Sequence, residues 1–324
     1  MLSLFRRNLF INLIFLALFA LALLAYHLVF PSGAIPLQSN SIFGDLLLLP
    51  DRSSLIKVLI SLLLILIQAY MVNDMVIKHK LSRALSTIPA VVFVLYTAWI
   101  MSEQIYHPVL IANTFFILSL NSLFKIYKKH QPIALIFNSG LWLALAACFY
   151  TPYILYLLVL ILGLLSLRNI NVRETLQMLI GLLTPLFLMA TGFFYFDILG
   201  QFSPFNAKSF SLPGFNPDLW IAYAKPLVII PLILLAVFIN SEIKKKKKFD
   251  AIKKIELAYL MFIVSTLAIF FGNPVHEMHL IMISAPIGLC YGLILESPQN
   301  KIIKEFMFLL ALGGYALFLI GMIG

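Results

Sequence analysis

Charge is scarce in this chain. Asp, Glu, Lys and Arg make up only 11% of its 324 residues, where a water-soluble domain carries roughly a quarter. Acids are the scarcer sign, 13 against 23 bases. Cysteine is nearly missing. Cys148 and Cys290 both sit in apolar runs, which reads as two buried small hydrophobes and excludes a metal site built on Cys spacing. No composition shift marks a second domain, so residues 1–324 read as a single integral domain. What fills the space is hydrocarbon: 62% of residues are hydrophobic and mean hydropathy is +1.02. That is more apolar surface than a water-soluble core absorbs, and lipid is the expected solvent.

Eleven apolar runs carry this surface, at about 9–30, 54–73, 87–102, 108–125, 132–149, 153–167, 174–196, 221–241, 256–272, 279–296 and 305–323. A helix needs about 20 apolar residues to cross the hydrocarbon. The third, fifth and sixth runs are short and are expected to extend into their flanks or to tilt little. Their length, Leu content and lack of period-two alternation predict helices over strands. Irregular backbone cannot face lipid, so an all-α polytopic transmembrane helical bundle of about 11 spans follows. Arg6 and Arg7 precede the first run, but its apolar stretch exceeds the 7–15 residues of a signal-peptide core, which predicts an uncleaved first helix. No internal repeat is visible, which removes sequence support for a transporter of inverted halves.

The bases sort the connections between runs. Nineteen of the twenty-three Lys and Arg residues fall in every second gap; the other gaps and their helix ends hold only Arg52, Lys57, Lys208 and Lys225. The basic side is therefore cytoplasmic, the N-terminus inside and the C-terminus periplasmic, in a bacterial inner membrane. Bases confined to short connections without interleaved aromatics argue against nucleic acid as a partner. The run Lys244 to Lys248 serves as an orientation signal and is compatible with anionic lipid. Within the runs, His27, Lys57 and Lys225 lie near outer ends, where Lys can snorkel. The shortage of charges at mid-depth argues against a proton-driven pump. Gln68, Asn121, Asn138 and Ser139 are expected as interhelical hydrogen-bond partners.

Two outer connections are long, 31–53 and 197–220, and long connections in a compact bundle tend to carry function. The first holds Asp45 and Asp51 around an apolar stretch. One reading makes them a general base or a holder of a divalent cation against a lipid diphosphate. The other makes Asp45 a turn acid and Asp51 a helix cap. A second cluster is His276-Glu277-Met278-His279. Its two histidines suit a metal if helical, although the spacing is not that of H-E-x-x-H. The alternative is a polar turn with His279 starting the next helix. Pro286 and Gly288 then loosen that helix or serve its packing. The third group places Glu103 and His107 four apart, ahead of Pro108, which limits helix continuity. The three groups share one membrane face. Catalytic candidates are Asp45, Asp51, Glu103, His276 and Glu277; metal candidates are Asp45, His276 and His279, for a divalent cation.

Phe149-Tyr150-x-Pro152, then Leu167-Arg168-Asn169-Ile170-Asn171-Val172-Arg173-Glu174, then Gly181-Leu182-Leu183-Thr184-Pro185, resembles an uncharacterised family of polytopic inner-membrane proteins of Bacteroidota. The resemblance covers about forty residues and implies topology, not chemistry. Read from the residues themselves, Arg168, Arg173 and Glu174 are expected to form a cytoplasmic ion-pair turn that fixes the sixth and seventh helices, or a partner-docking site. The layout also resembles membrane glycosyltransferases that use polyprenyl-phosphate sugars, whose essential acid lies in the first outer loop, where Asp45 and Asp51 stand here. Three functions follow as expectations: an enzyme on a lipid-linked substrate at the outer face, a non-catalytic subunit of an envelope or secretion complex, and a transporter.

Overall fold

The computed structural model describes residues 9–25, 43, 54–82, 86–101, 106–168, 172–197, 249–271, 277–296 and 301–323. Among them every regular element is helical. In chain order the α-helices are α1 Leu9–Leu24, α2 Ser54–Lys78, α3 Ile88–Ile100, α4 Val109–Phe124, α5 Ile133–Phe149, α6 Leu157–Leu167, α7 Val172–Tyr195, α8 Phe249–Phe271, α9 Ile281–Glu296 and α10 Lys301–Ile323. A 3₁₀ turn, Thr151–Tyr156, leads into α6, and another, Glu277–Leu280, leads into α9. Ten of the eleven predicted runs thus coincide with a helix. The eighth, 221–241, lies outside the described residues.

Proline sets several of the helix starts. Pro89 sits in the first turn of α3, and Pro152 in the first turn of the 3₁₀ segment. Pro108 and Pro132 stand immediately before α4 and α5. First-turn N–H groups have no intrahelical acceptor, so a residue without an N–H costs nothing there.

The centre of the bundle is α9. Every residue from Ile281 to Leu295 is buried, so this helix is wrapped on all sides. Its widest contact is with α3, itself buried except at Trp99. Glycine permits that approach: a Cβ on Gly292 would lie 2.7 Å from the Cα of Pro89, and one on Gly288 3.0 Å from the Cβ of Phe93. Gly288 is therefore a packing residue. Pro286 lies inside α9 without ending it. A similar contact joins α5 to α7. A Cβ on Gly140 would meet the carbonyl oxygen of Met178 at 2.1 Å, and one on Gly181 would meet that of Phe137 at 2.1 Å. Each glycine faces the other helix's backbone, and helices meet this closely only where both lack a side chain.

The outer helices turn hydrocarbon outward. Leu55, Leu59, Leu63, Ile67 and Tyr70 form the exposed stripe of α2, while Ser61, Gln68 and Asn73 face inward. On α7, Ile180, Leu183, Phe187, Leu188 and Phe194 are exposed. This reverses the pattern of a water-soluble surface helix. Two helical stretches, Leu55–Lys78 and Val172–Tyr195, are long and apolar enough to cross a membrane; several others are apolar but shorter. The short helices α3 and α9 are buried along almost their whole length.

Candidate functional site

The segment Tyr150 to Tyr156 joins a group of buried polar side chains. A 3₁₀ helix turns every three residues, so side chains three apart stack. Tyr150 precedes the turn in extended conformation, and Tyr153 and Tyr156 follow at that spacing. Their rings form a ladder, with centroids 6.1 Å apart for Tyr150 and Tyr153 and 5.6 Å for Tyr153 and Tyr156. Phe116 packs on the two deeper rings. All three tyrosines are buried, and each hydroxyl has its own partner.

The Tyr153 hydroxyl donates to Asn113 Oδ1 at 3.1 Å. Asn113 Nδ2 donates to Gln68 Oε1 at 2.8 Å and to Ser284 Oγ at 3.2 Å. Gln68 Nε2 in turn donates to Leu110 O at 2.6 Å and Thr114 Oγ1 at 2.8 Å. This chain ties α2, α4 and α9 to the 3₁₀ turn through side chains that would each be costly to bury alone. The Tyr156 hydroxyl bonds with Ser265 Oγ of α8 and donates to Met282 O at 2.8 Å. Met282 is four residues before Pro286, which has no N–H to give it. The tyrosine supplies the donor that the proline withholds, and α9 stays continuous.

At the end of the ladder, Tyr150 meets the segments predicted to lie at the outer face. Its hydroxyl bonds to His279 Nδ1, the two rings lying 5.4 Å apart. Burial pushes the Tyr150 phenol well above its usual range, so it stays neutral. His107 packs edge-on against Tyr150 at 6.1 Å. Its Nδ1 accepts from the Val109 amide at 3.1 Å, capping the start of α4 with an imidazole. Phe43 lies 5.6 Å from Phe149, the neighbour of Tyr150. One described residue from each of the three predicted outer groups therefore packs at Phe149–Tyr150.

Asp45, Asp51, Glu103 and His276 lie outside the described residues. Glu277 opens the 3₁₀ turn into α9, and His279 follows within it. His279 is buried, and its Nδ1 bonds to the Tyr150 hydroxyl. Among the described residues no three His, Cys, Asp or Glu side chains gather as a metal site.

The opposite end of the bundle holds a second polar cluster. His79, just past α2, lies between Asn121 and Lys254. Lys254 Nζ donates to His79 Nδ1 at 3.3 Å and pairs with Asp250 at 3.0 Å. His79 Nε2 is 3.4 Å from Asn121 Oδ1. Burial first, and the Lys254 ammonium second, lower the His79 pKa from 6.5 to about 4, against the bond to Asn121. The imidazole is thus neutral, with Nδ1 as acceptor and Nε2–H as donor. Nearby, Arg168 Nη2 is 3.1 Å from Glu174 Oε1, and Arg168 Nη1 donates to Lys129 O at 2.5 Å. Arg173 is exposed at the start of α7.

Sequence reasoning singled out Gln68 and Asn121 as bonding partners but not Asn113, the three tyrosines or the His79–Lys254 pair. The tyrosine spacing of three beside Pro152 was a readable signal. The pairings were not, because they depend on which helices meet.

Comparison with family models, with curated proteins and with solved structures found no match.

Proposed function

We propose that this chain is a polytopic inner-membrane protein with the basic end in the cytoplasm, acting on a lipid-linked substrate at its outer face. Its outward-facing leucines, buried amides and alternating bases support the membrane reading. Eleven spans, a cytoplasmic N-terminus and a periplasmic C-terminus belong to this reading. So does kinship with the Bacteroidota inner-membrane family.

The observation that carries the functional part is the meeting of Phe43, His107 and His279 at Phe149–Tyr150. Phe43 and His107 are close in sequence to Asp45 and Glu103, and His279 to His276 and Glu277. Acids close to an apolar membrane surface suit transfer from a polyprenyl-linked donor. Asp45 takes the acceptor's proton or holds a divalent cation at the phosphate, and Asp51, Glu103, His276 and Glu277 are the neighbouring candidates.

Photo-crosslinking with a polyprenyl-phosphate probe in membranes tests this. Labelling of peptides containing residues 43–51 or 106–107, reduced in Asp45→Asn, is expected. Labelling spread evenly over the lipid-facing helices, and unchanged in Asp45→Asn, refutes it.

A second reading has its own support. The interior polar groups are largely bonded to one another, as a rigid scaffold requires. A non-catalytic subunit of an envelope complex would co-purify with a stoichiometric partner in mild detergent. A lone monomer argues for the enzyme.

A further inference from the structure

Among the described residues, three that are not glycine adopt the left-handed backbone conformation: Lys80 at φ 54°, Lys128 at φ 57° and Asp197 at φ 56°. Each follows a helix closely. Past α2 the Leu81 amide bonds back to Val76 O and the Lys80 amide to Ile77 O; past α4 the Lys129 amide bonds to Ile126 O. Such helix ends ordinarily use glycine or asparagine, because a Cβ is strained there. At the basic end the chain accepts that strain twice, and both times with lysine.

Lys80 and Lys128 follow two helix ends that meet. His79, the neighbour of Lys80, packs on Phe124 with ring centroids 5.4 Å apart and reaches Asn121. Lys125 and Lys128 follow within one turn of those residues. Lys80, Lys125, Lys128 and Lys129 are exposed. The acids at this end whose pairs are seen are engaged elsewhere: Asp74 with Lys78, Glu174 with Arg168 and Asp250 with Lys254. Arg168 fixes the turn by donating to Lys129 O. Ile133, four residues after Lys129 at the start of α5, is exposed.

We infer that Lys80, Lys125, Lys128 and Lys129 bind the phosphodiester headgroup of an anionic phospholipid, with an acyl chain lying along Ile133. Cations beside an outward hydrocarbon face complement such a lipid in both charge and polarity. The inference rests on the membrane reading with this end cytoplasmic, not on any enzymatic activity.

The test uses the full chain in nanodiscs of phosphatidylcholine, with or without one-quarter phosphatidylglycerol. The anionic lipid is expected to raise the melting temperature. Native mass spectrometry should show it retained over phosphatidylcholine by about tenfold or more, as roughly two engaged lysines near a surface would give. The quadruple variant Lys80→Gln, Lys125→Gln, Lys128→Gln, Lys129→Gln should lose most of both effects. The pair Lys80→Gly, Lys128→Gly relieves the backbone strain. It should melt higher than wild type in phosphatidylcholine alone yet gain less from phosphatidylglycerol. Equal gains in wild type and variants, or an equal gain from inorganic phosphate in phosphatidylcholine, overturn the inference. A chain that does not enter nanodiscs, or whose Lys128→Cys variant is labelled from the periplasm, instead refutes the membrane reading on which it rests.

Discussion

The bond between Tyr156 and the Met282 carbonyl offers a direct test of how the bundle tolerates a proline in its central helix. Tyr156→Phe removes the hydroxyl and little else. The Met282 oxygen then loses its 2.8 Å donor and cannot recover a helical one, because residue 286 is proline. An unsatisfied buried carbonyl costs about 1–3 kcal/mol. Ser265 Oγ lies 3.4 Å from the same oxygen, but its single proton is also within reach of Met261 O at 2.7 Å and of the Tyr156 hydroxyl. A rotation of Ser265 can therefore recover part of the loss, which puts the expected cost near 2 kcal/mol. Pro286→Ala restores an N–H at the position that should reach Met282 O. Its own effect mixes ring packing with unfolded-state entropy and has no clean sign.

The double-mutant cycle isolates the quantity of interest. In the Pro286→Ala background, Tyr156→Phe should cost less by about 1 kcal/mol or more, because the carbonyl now has a helical donor. Titration with denaturing detergent, followed by tryptophan fluorescence, measures each corner; the chain has three tryptophans. If the two substitutions add within about 0.5 kcal/mol, the tyrosine does not stand in for the missing amide and the reasoning fails.

Other outcomes follow from the same geometry. Gly140→Ala and Gly181→Ala each force a Cβ to within 2.1 Å of a carbonyl, so α5 and α7 must separate at a cost of about 2–3 kcal/mol. Gly192→Ala on the same α7 meets nothing within 4 Å and should be neutral or stabilising; equal melting temperatures for the three variants would refute the close contact. Tyr153→Phe leaves Asn113 Oδ1 without its donor and should lower stability by about 1–3 kcal/mol, read in the same detergent titration. His79 gives a pH signature. Its folded pKa of about 4 lies below the unfolded 6.5, so only the unfolded chain takes up the proton between those values. Stability is full above pH 6.5 and falls as pH drops towards 4, by about 2 kcal/mol at pH 5. His79→Gln should flatten the melting-temperature profile over that window, and an unchanged slope would assign the acid sensitivity to other groups.

The helices were legible because each is a long apolar run closed by bases or prolines. The run expected at 87–102 became α3, Ile88–Ile100, starting where Pro89 allows. The run expected at 153–167 opens as the 3₁₀ turn that Pro152 introduces, and only then becomes α6. Gln68 and Asn121 were readable as polar residues that need partners in an apolar setting. Their partners were not readable. Gln68 and Asn113 are 45 residues apart, and Asn113 and Ser284 are 171 apart. Only the packing of α2, α4 and α9 brings them together. His79 and Lys254 were hidden for a different reason. In the sequence they look like members of solvated basic connections, whereas in the fold both are buried.

This division bears on where chemistry can occur. Inside the bundle the Tyr153–Asn113–Gln68 chain bonds to itself, and the Tyr156 hydroxyl is committed to repairing α9. A substrate that displaced any of these partners would leave a buried donor or acceptor unpaired, at a cost comparable to the bond it made. The interior is thus better suited to holding shape than to binding. The ends differ. At one, the ladder finishes at Tyr150, where the rings of His107 and His279 gather. At the other, Lys80 and Lys128 occupy strained helix ends. Rigidity in the middle supports function at the ends, since residues on connections act reliably only when the helices that carry them do not shift.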